Sequence, residues 1–268
     1  MKNQYIIWII AFLITVLAAY YQRITGPTYA IRNKVEISGC EVKYSLPRTA
    51  VNTSDPVIEI NVKSGVTGVL RYKRYNTNDE WNEFNLVSSE NGLKAILPKQ
   101  PAAGKLVYEI DIIDNGKIIP LHSQPIVIRF KGDVPGWIII LHVIFIFFAM
   151  LLSNLTGIMA IRKNPGIMTY IWITVIVLFI GGMIMGPIVQ KYAFGEFWTG
   201  VPFGWDLTDN KTLIAMLIWI IALFVSRKKP SYAWVIAASV VMLVIFLIPH
   251  SMFGSELDYN TGIIKQGQ

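Results

Sequence analysis

The sequence predicts an integral membrane protein of five helical spans, with an all-β domain inserted between the first and second. Three observations carry that reading. Hydrophobic residues make up 53% of the 268-residue chain and charged residues only 15%, too apolar a balance for a water-soluble domain of that length. The apolar residues gather into five nearly uncharged runs. Between the first two runs, about 100 residues alternate apolar and polar side chains instead.

The runs are Tyr5–Tyr21, Val134–Leu155, Met168–Val189, Leu213–Val225 and Tyr232–Ile248, mostly near the roughly 20 residues that cross a bilayer as a helix. The fourth reaches that length only if Thr212 and the turn before it are helical too. The first reads as an uncleaved anchor, not a secretory signal peptide, because it outruns a usual h-region and "LAAYYQRITG" offers a poor cleavage site. In the third, Gly182 and Gly186 have the spacing of close helix packing. Packing within the bundle is preferred to a contact between copies, with a homo-oligomer as the alternative.

Charge orients the spans. Arg162 and Lys163 follow the second run, and Arg227, Lys228 and Lys229 follow the fourth, with no acidic residue beside either cluster. Short basic loops stay in the cytoplasm. The N-terminus is then cytoplasmic, while the β domain, the 190–211 loop and the C-terminal tail are extracytoplasmic. Three regions follow: an anchor with its exit (1–32), the β domain (33–131), and a four-helix transmembrane domain with its loop and tail (132–268). The net charge of +7 comes partly from the cytoplasmic loops, so the bilayer is the expected partner and nucleic acid is not. Cys40 is the sole cysteine, which excludes an intramolecular disulfide.

Within the β domain, "VIEINVK", "GVLRYKRY", "WNEFNLV", "LKAILP", "KLVYEIDIID" and "PIVIRFK" read as strands, separated by turn signals such as "NTND", "SENG" and "PAAG". "DNG" before Lys117 is a tight-hairpin signal, since Asn and Gly tolerate positive φ. Short strands at this density suit an antiparallel sandwich. In "RYKRY", alternation puts Arg71, Lys73 and Tyr75 on one face; a solvated strand face is the plain reading and a basic-aromatic binding strip the sharper one. The stretch from "GVLRYKRYNTNDEWNEFNL" to "KLVYEIDI" resembles immunoglobulin-like or fibronectin type III-like modules. That resemblance implies a fold and no activity.

Unusual residues collect on the outer side of the membrane. "FWTGVPFGWDLTDNKT" (Phe197–Thr212) carries two tryptophans, two phenylalanines and several acids or amides. Trp198, Trp205, Phe197 and Phe203 suit the headgroup level. Asp206 or Thr208 can cap the fourth helix, with Asp209 in its first turn and Lys211 snorkelling out. "QRITGPTY" after the first span and "PHSMFGSELDY" after the fifth lie at the same depth. The expectation is one polar, aromatic-rimmed plate, in which Asp206 or Asp209 pairs with Arg23 or Lys191, or hydrogen-bonds His250. Arg23, Trp198, Trp205, Asp206, Asp209, Glu256 and Asp258 are its candidate interface residues.

His142, near the outer end of the second span, and His250, closing the fifth, are the candidate cofactor ligands for a haem or a metal ion, although no cofactor is expected outright. No Asp, Glu, Lys or Arg lies deep in any run, which disfavours an ion-coupled transporter. Motifs of zinc proteases, serine hydrolases, P-loops, c-type haem attachment and dinucleotide binding are absent from the sequence. "QRITGPTY", "FWTGVPFGWDLTDNKT" and "IPHSMFGSELDY" together resemble a family of bacterial inner-membrane proteins with no established activity. The resemblance implies the architecture and the inner membrane, and no catalytic residues. The expected role is non-enzymatic: an accessory, assembly or scaffold protein that docks a membrane or periplasmic partner at the outer membrane interface, through the β domain and the 190–211 loop. A redox or metal-binding protein using His142 and His250 is the alternative. An enzyme acting on lipid or envelope sugars through Asp206, Asp209, Glu256 or Asp258 ranks third.

Overall fold

The computed structural model describes residues 2–250, 252 and 254–265. They fall into two compact units. One joins the chain up to Pro27 with Val134–Gly254, and the other joins Thr28–Asp133 with Ser255–Lys265.

The first unit is helical: α1 (Lys2–Thr25), α2 (Gly136–Ile161), α3 (Ile167–Leu178), α4 (Gly186–Phe194), α5 (Leu207–Ser226) and α6 (Tyr232–Leu247). A π-helical stretch, Phe179–Met185, runs α3 directly into α4. Among the described residues, four helical segments are long and apolar enough to cross a membrane: Gln4–Thr25, Gly136–Ile161, Ile167–Phe194 and Leu207–Ser226. The fourth apolar run gains its length because Asp206 caps α5, accepting from Thr208 N (2.9 Å) and Asp209 N (3.2 Å). The fifth forms a shorter helix of 16 residues. It stops because Ile248 turns extended (φ −69°, ψ 122°) ahead of Pro249, whose ring disfavours helical backbone in the residue before it.

Trp219, Leu155, Ile167, Ile171, Ala215, Val235 and Met242 lie in the helical core. Gly182 belongs to close packing inside the bundle: a Cβ there would stand 2.5 Å from Thr212 Cγ2 on α5. Outward faces carry Ile9, Leu17, Ile140, Phe147, Phe224 and Val244, all exposed, an exterior suited to hydrocarbon.

The second unit is β. Its strands are β1 (Ile31–Ile37), β2 (Cys40–Leu46), β3 (Thr49–Val51), β4 (Val57–Ile60), β5 (Thr67–Arg74), β6 (Asn82–Asn85), β7 (Val87–Ser89), β8 (Gly92–Ile96), β9 (Lys105–Asp114), β10 (Lys117–Pro120), β11 (Ile126–Lys131), β12 (Glu256–Leu257) and β13 (Ile264–Lys265). One sheet has the order β3-β11-β9-β5-β6 with β10 on β9, and another the order β4-β8-β7. β1–β2 and β12–β13 are two-stranded hairpins. β3 pairs with β11 in parallel, a departure from the wholly antiparallel expectation. The "DNG" hairpin joins β9 to β10 with Asn115 (φ 49°) and Gly116 (φ 79°) both left-handed.

The two larger sheets share one core. Ile58 and Ile60 of β4 and Leu93 and Ala95 of β8 cluster with Leu70 of β5, Tyr108 and Ile112 of β9, and Ile128 and Phe130 of β11. The basic strand is spoken for on both faces. Arg71 pairs with Glu109 and Asp111 of β9, Arg74 pairs with Asp79, and Tyr72 stacks on Phe84.

Candidate functional site

The segment between α4 and α5 folds onto the helix that follows it. α4 ends at Gly195, whose left-handed backbone (φ 91°) allows its N–H to reach Lys191 O. The chain then turns back. Asp209, in the first turn of α5, accepts through Oδ2 from Thr199 N (2.6 Å), Gly200 N (3.1 Å) and Thr199 Oγ1 (3.2 Å). Gln190 Nε2 of α4 donates to the same hydroxyl. Asn210 Oδ1 accepts from Val201 N at 2.8 Å, and Trp198 Nε1 donates to Val201 O at 3.1 Å. Asp206 N closes the loop by donating to Thr199 O at 3.0 Å.

This packing leaves no room beside Gly200, where a Cβ would meet Asp209 Cβ at 2.7 Å and Asn210 Oδ1 at 2.8 Å. Thr199, Asp206 and Asp209 are all buried. The rings point the other way. Phe197 is 56% exposed, Phe203 81% and Trp205 74%, while Trp198 is half-buried. A buried polar frame thus holds an exposed aromatic rim.

Lys211 departs from the expectation that it snorkels. It is buried at 5% exposure and donates to Ile248 O at the end of α6. Gln22 Nε2 of α1 donates to Phe246 O and, at 3.3 Å, to Ile248 O. Carbonyls left over at a helix C-terminus need partners, and side chains from two other helices supply them here. Gly26 lies against Pro249, so the exits of α1 and α6 meet.

Of the expected plate, these contacts join the ends of α1, α5 and α6. Lys191 does not serve Asp206 or Asp209; it donates to Gly195 O at 2.5 Å and lies over the Phe197 ring. Asp206 spends its acceptor on the bare N–H groups of the helix start, and Asp209 accepts from the buried backbone donors of the preceding loop, which are the stronger local demand. Arg23 sits exposed in the last turn of α1. Ser251 and Phe253 of the Pro249–Tyr259 segment lie outside the described residues.

Glu256 and Asp258 belong to the β unit and not to the helix exits. Glu256 pairs with Lys105 of β9 at 2.5 Å, and Leu257 N donates to Ala103 O. Asp258 accepts from Asn260 N and Thr261 N and pairs with Lys265 at 2.6 Å. Tyr259 OH donates to the β domain at Lys105 O or Gln100 Oε1, both at 3.0 Å, with Arg74 over its ring.

His142 Nδ1 lies 3.0 Å from Gly181 O in the π-helical stretch. A carbonyl can only accept, so Nδ1 carries the proton and, in the neutral ring, Nε2 keeps its lone pair. His250 is exposed and within electrostatic reach of Lys211 and His142. Among the described residues, no three His, Cys, Asp or Glu side chains are grouped to hold a metal ion. The sequence reading missed Gln22, Gln190, Thr199 and Asn210; the spacing D-x-x-D-N after an aromatic turn was the only available signal. No family model, curated protein or solved structure matches the chain.

Proposed function

We propose that this chain is a five-span bacterial inner-membrane protein that serves as a non-enzymatic docking or assembly component, meeting a membrane or periplasmic partner through its β domain and the loop Phe197–Trp205. One observation carries the docking role. The buried polar groups of the loop are spent on its own backbone, while Phe197, Phe203 and Trp205 are held outward at 56%, 81% and 74% exposure. A mere connector between α4 and α5 needs no such frame. Pre-ordered aromatic rings offer binding area at small entropic cost.

The five-span reading is supported by the return of the tail. Ser255–Lys265 packs with the β unit, so the chain leaves and regains one side of the membrane between Asp133 and Ser255. An even number of crossings is needed, and α2, the continuous α3–α4 rod, α5 and α6 supply four. The 16 residues of α6 rise about 24 Å, and extended Ile248 continues the path. The basic clusters at Arg162–Lys163 and Arg227–Lys229 support an outer β domain, outer loop and outer tail. The immunoglobulin-like reading rests on strand order: β4-β8-β7 in one sheet and β11-β9-β5 in the other follow that two-sheet division. The family resemblance of the three outer segments supports the compartment.

A photo-crosslinking residue at position 203 in intact cells tests the docking role. A discrete protein adduct, lost when Asp209→Ala loosens the frame, is the expected result. Adducts to lipid alone would overturn the role.

A second reading has one observation of its own. With Nδ1–H donated to Gly181 O, His142 has the arrangement of a ligating histidine, Nε2 free and the ring oriented from behind. In that reading His142 and His250 hold a haem or metal ion. A Soret band lost in both His142→Ala and His250→Ala would support it; a colourless, metal-free protein from a haem-replete host would retire it.

A further inference from the structure

At the other end of the helical unit, a cleft of about 420 Å3 opens between the first turns of α1 and the link from α2 to α3. Its floor is apolar: Ile7 and Met159, 7% and 4% exposed. Its rim carries Gln4, Arg162, Lys163 and Asn164. Exposed Ile6 and Ile161 stand next in sequence to the lining residues Ile7 on α1 and Arg162 after α2. No acidic residue stands among the described lining residues.

The way α2 ends gives the rim its meaning. Lys163 N donates to Ala160 O and Asn164 N to Met159 O, the paired bonds of a Schellman motif. The residue after the cap must then be left-handed, and Lys163 is, at φ 51°. Glycine is the usual occupant because a Cβ is disfavoured there. This chain places a lysine in that position, beside an arginine, at the mouth of an apolar-floored cleft. Tyr232 OH of α6 donates to Lys163 O at 3.1 Å and fixes the turn from behind.

We propose that this cleft binds the phosphodiester headgroup of an anionic phospholipid, with Lys163 and Arg162 facing the phosphate and an acyl chain lying against Ile6 and Ile161. Basic pockets between spans on the cytoplasmic side suit such headgroups. A free phosphate would use the two cations and leave the apolar floor idle, whereas a lipid uses both. The site rests on the membrane reading above and is independent of the docking role.

The test uses the full-length protein purified in neutral detergent and titrated with phosphatidylglycerol, phosphatidylcholine or inorganic phosphate. Retained lipid is read by native mass spectrometry and stability by thermal melting. The expected result is a roughly twenty-five-fold preference for phosphatidylglycerol, two cations at about five-fold each, with no displacement by millimolar phosphate. Lys163→Gly should lose about five-fold in retention while its lipid-free melting temperature holds or rises, because glycine relieves the left-handed turn. Arg162→Gln should lose a similar factor. Equal retention of both lipids, undiminished retention in Lys163→Gly, or displacement by inorganic phosphate would each overturn the site. Retention of phosphatidylglycerol alongside a failed crosslink at position 203 would leave the cleft standing and remove only the docking role.

Discussion

Asp209→Ala is the sharpest perturbation of the loop between α4 and α5. Oδ2 accepts from the N–H groups of Thr199 and Gly200 and from the Thr199 hydroxyl, and both Thr199 and Asp209 are buried. Alanine leaves two backbone donors without partners, each costing about 1–3 kcal/mol when it stays buried. Removing a buried carboxylate returns part of its desolvation, so the net loss should be about 3 kcal/mol. Asp209→Asn keeps an acceptor in the same place and should cost only about 1 kcal/mol. Thermal melting in detergent measures both, and amide hydrogen exchange at Thr199 and Gly200 localises the effect. Those two amides should lose protection in the alanine variant and retain most of it in the asparagine variant. A loss below about 0.5 kcal/mol with unchanged exchange would refute the frame, since surface changes without a named mechanism fall in that range.

Three further outcomes follow from other parts of the chain. A cysteine at Lys228 should resist a membrane-impermeant thiol reagent in intact spheroplasts and one at Glu90 should react; reversed labelling would invert the orientation. Gly200→Ala should lower the melting temperature and raise exchange at Thr199, because its Cβ would stand 2.7 Å from Asp209 Cβ; a variant as stable as the parent would show that the loop yields freely. The Lys265 ammonium, joined by the Asn260 and Thr261 amides, holds the Asp258 carboxyl down to about 2. Its contribution is therefore present above the ordinary carboxylate range and lost as pH falls through about 2, so those two amides should stay protected at pH 4 and open below it. Opening already at pH 4 would contradict the pairing.

Periodicity and the length of the apolar runs made the coarse architecture legible. "KLVYEIDIID" and "PIVIRFK" became β9 and β11, and four of the apolar runs became membrane-length helices, because strand alternation and helix length are local properties. What escaped depends on partners far along the chain. The burial of Lys211 follows from its bond to the carbonyl of Ile248 at the end of α6, 37 residues away, which no local pattern announces. The π-helical Phe179–Met185 leaves only "GG" as its trace, and the glycines act by letting Phe145 and Thr212 approach. Glu256 and Asp258 looked like part of a helix exit by sequence proximity alone. Leu257 bonding to Ala103 takes them to the β unit instead. Within the loop, Asp206 was readable as a helix cap, whereas the service of Asp209 to Thr199 and Gly200 needed the folded turn.

The most direct test of the docking role is the mass of the assembly extracted from its native membrane in mild detergent. The account predicts a discrete complex heavier than the 30.2 kDa chain by the mass of a different protein, reduced to the chain alone in a Phe203→Ser, Trp205→Ser double variant that still melts like the parent. A parent protein already alone, a complex of whole multiples of the chain, or a complex indifferent to both substitutions would contradict it.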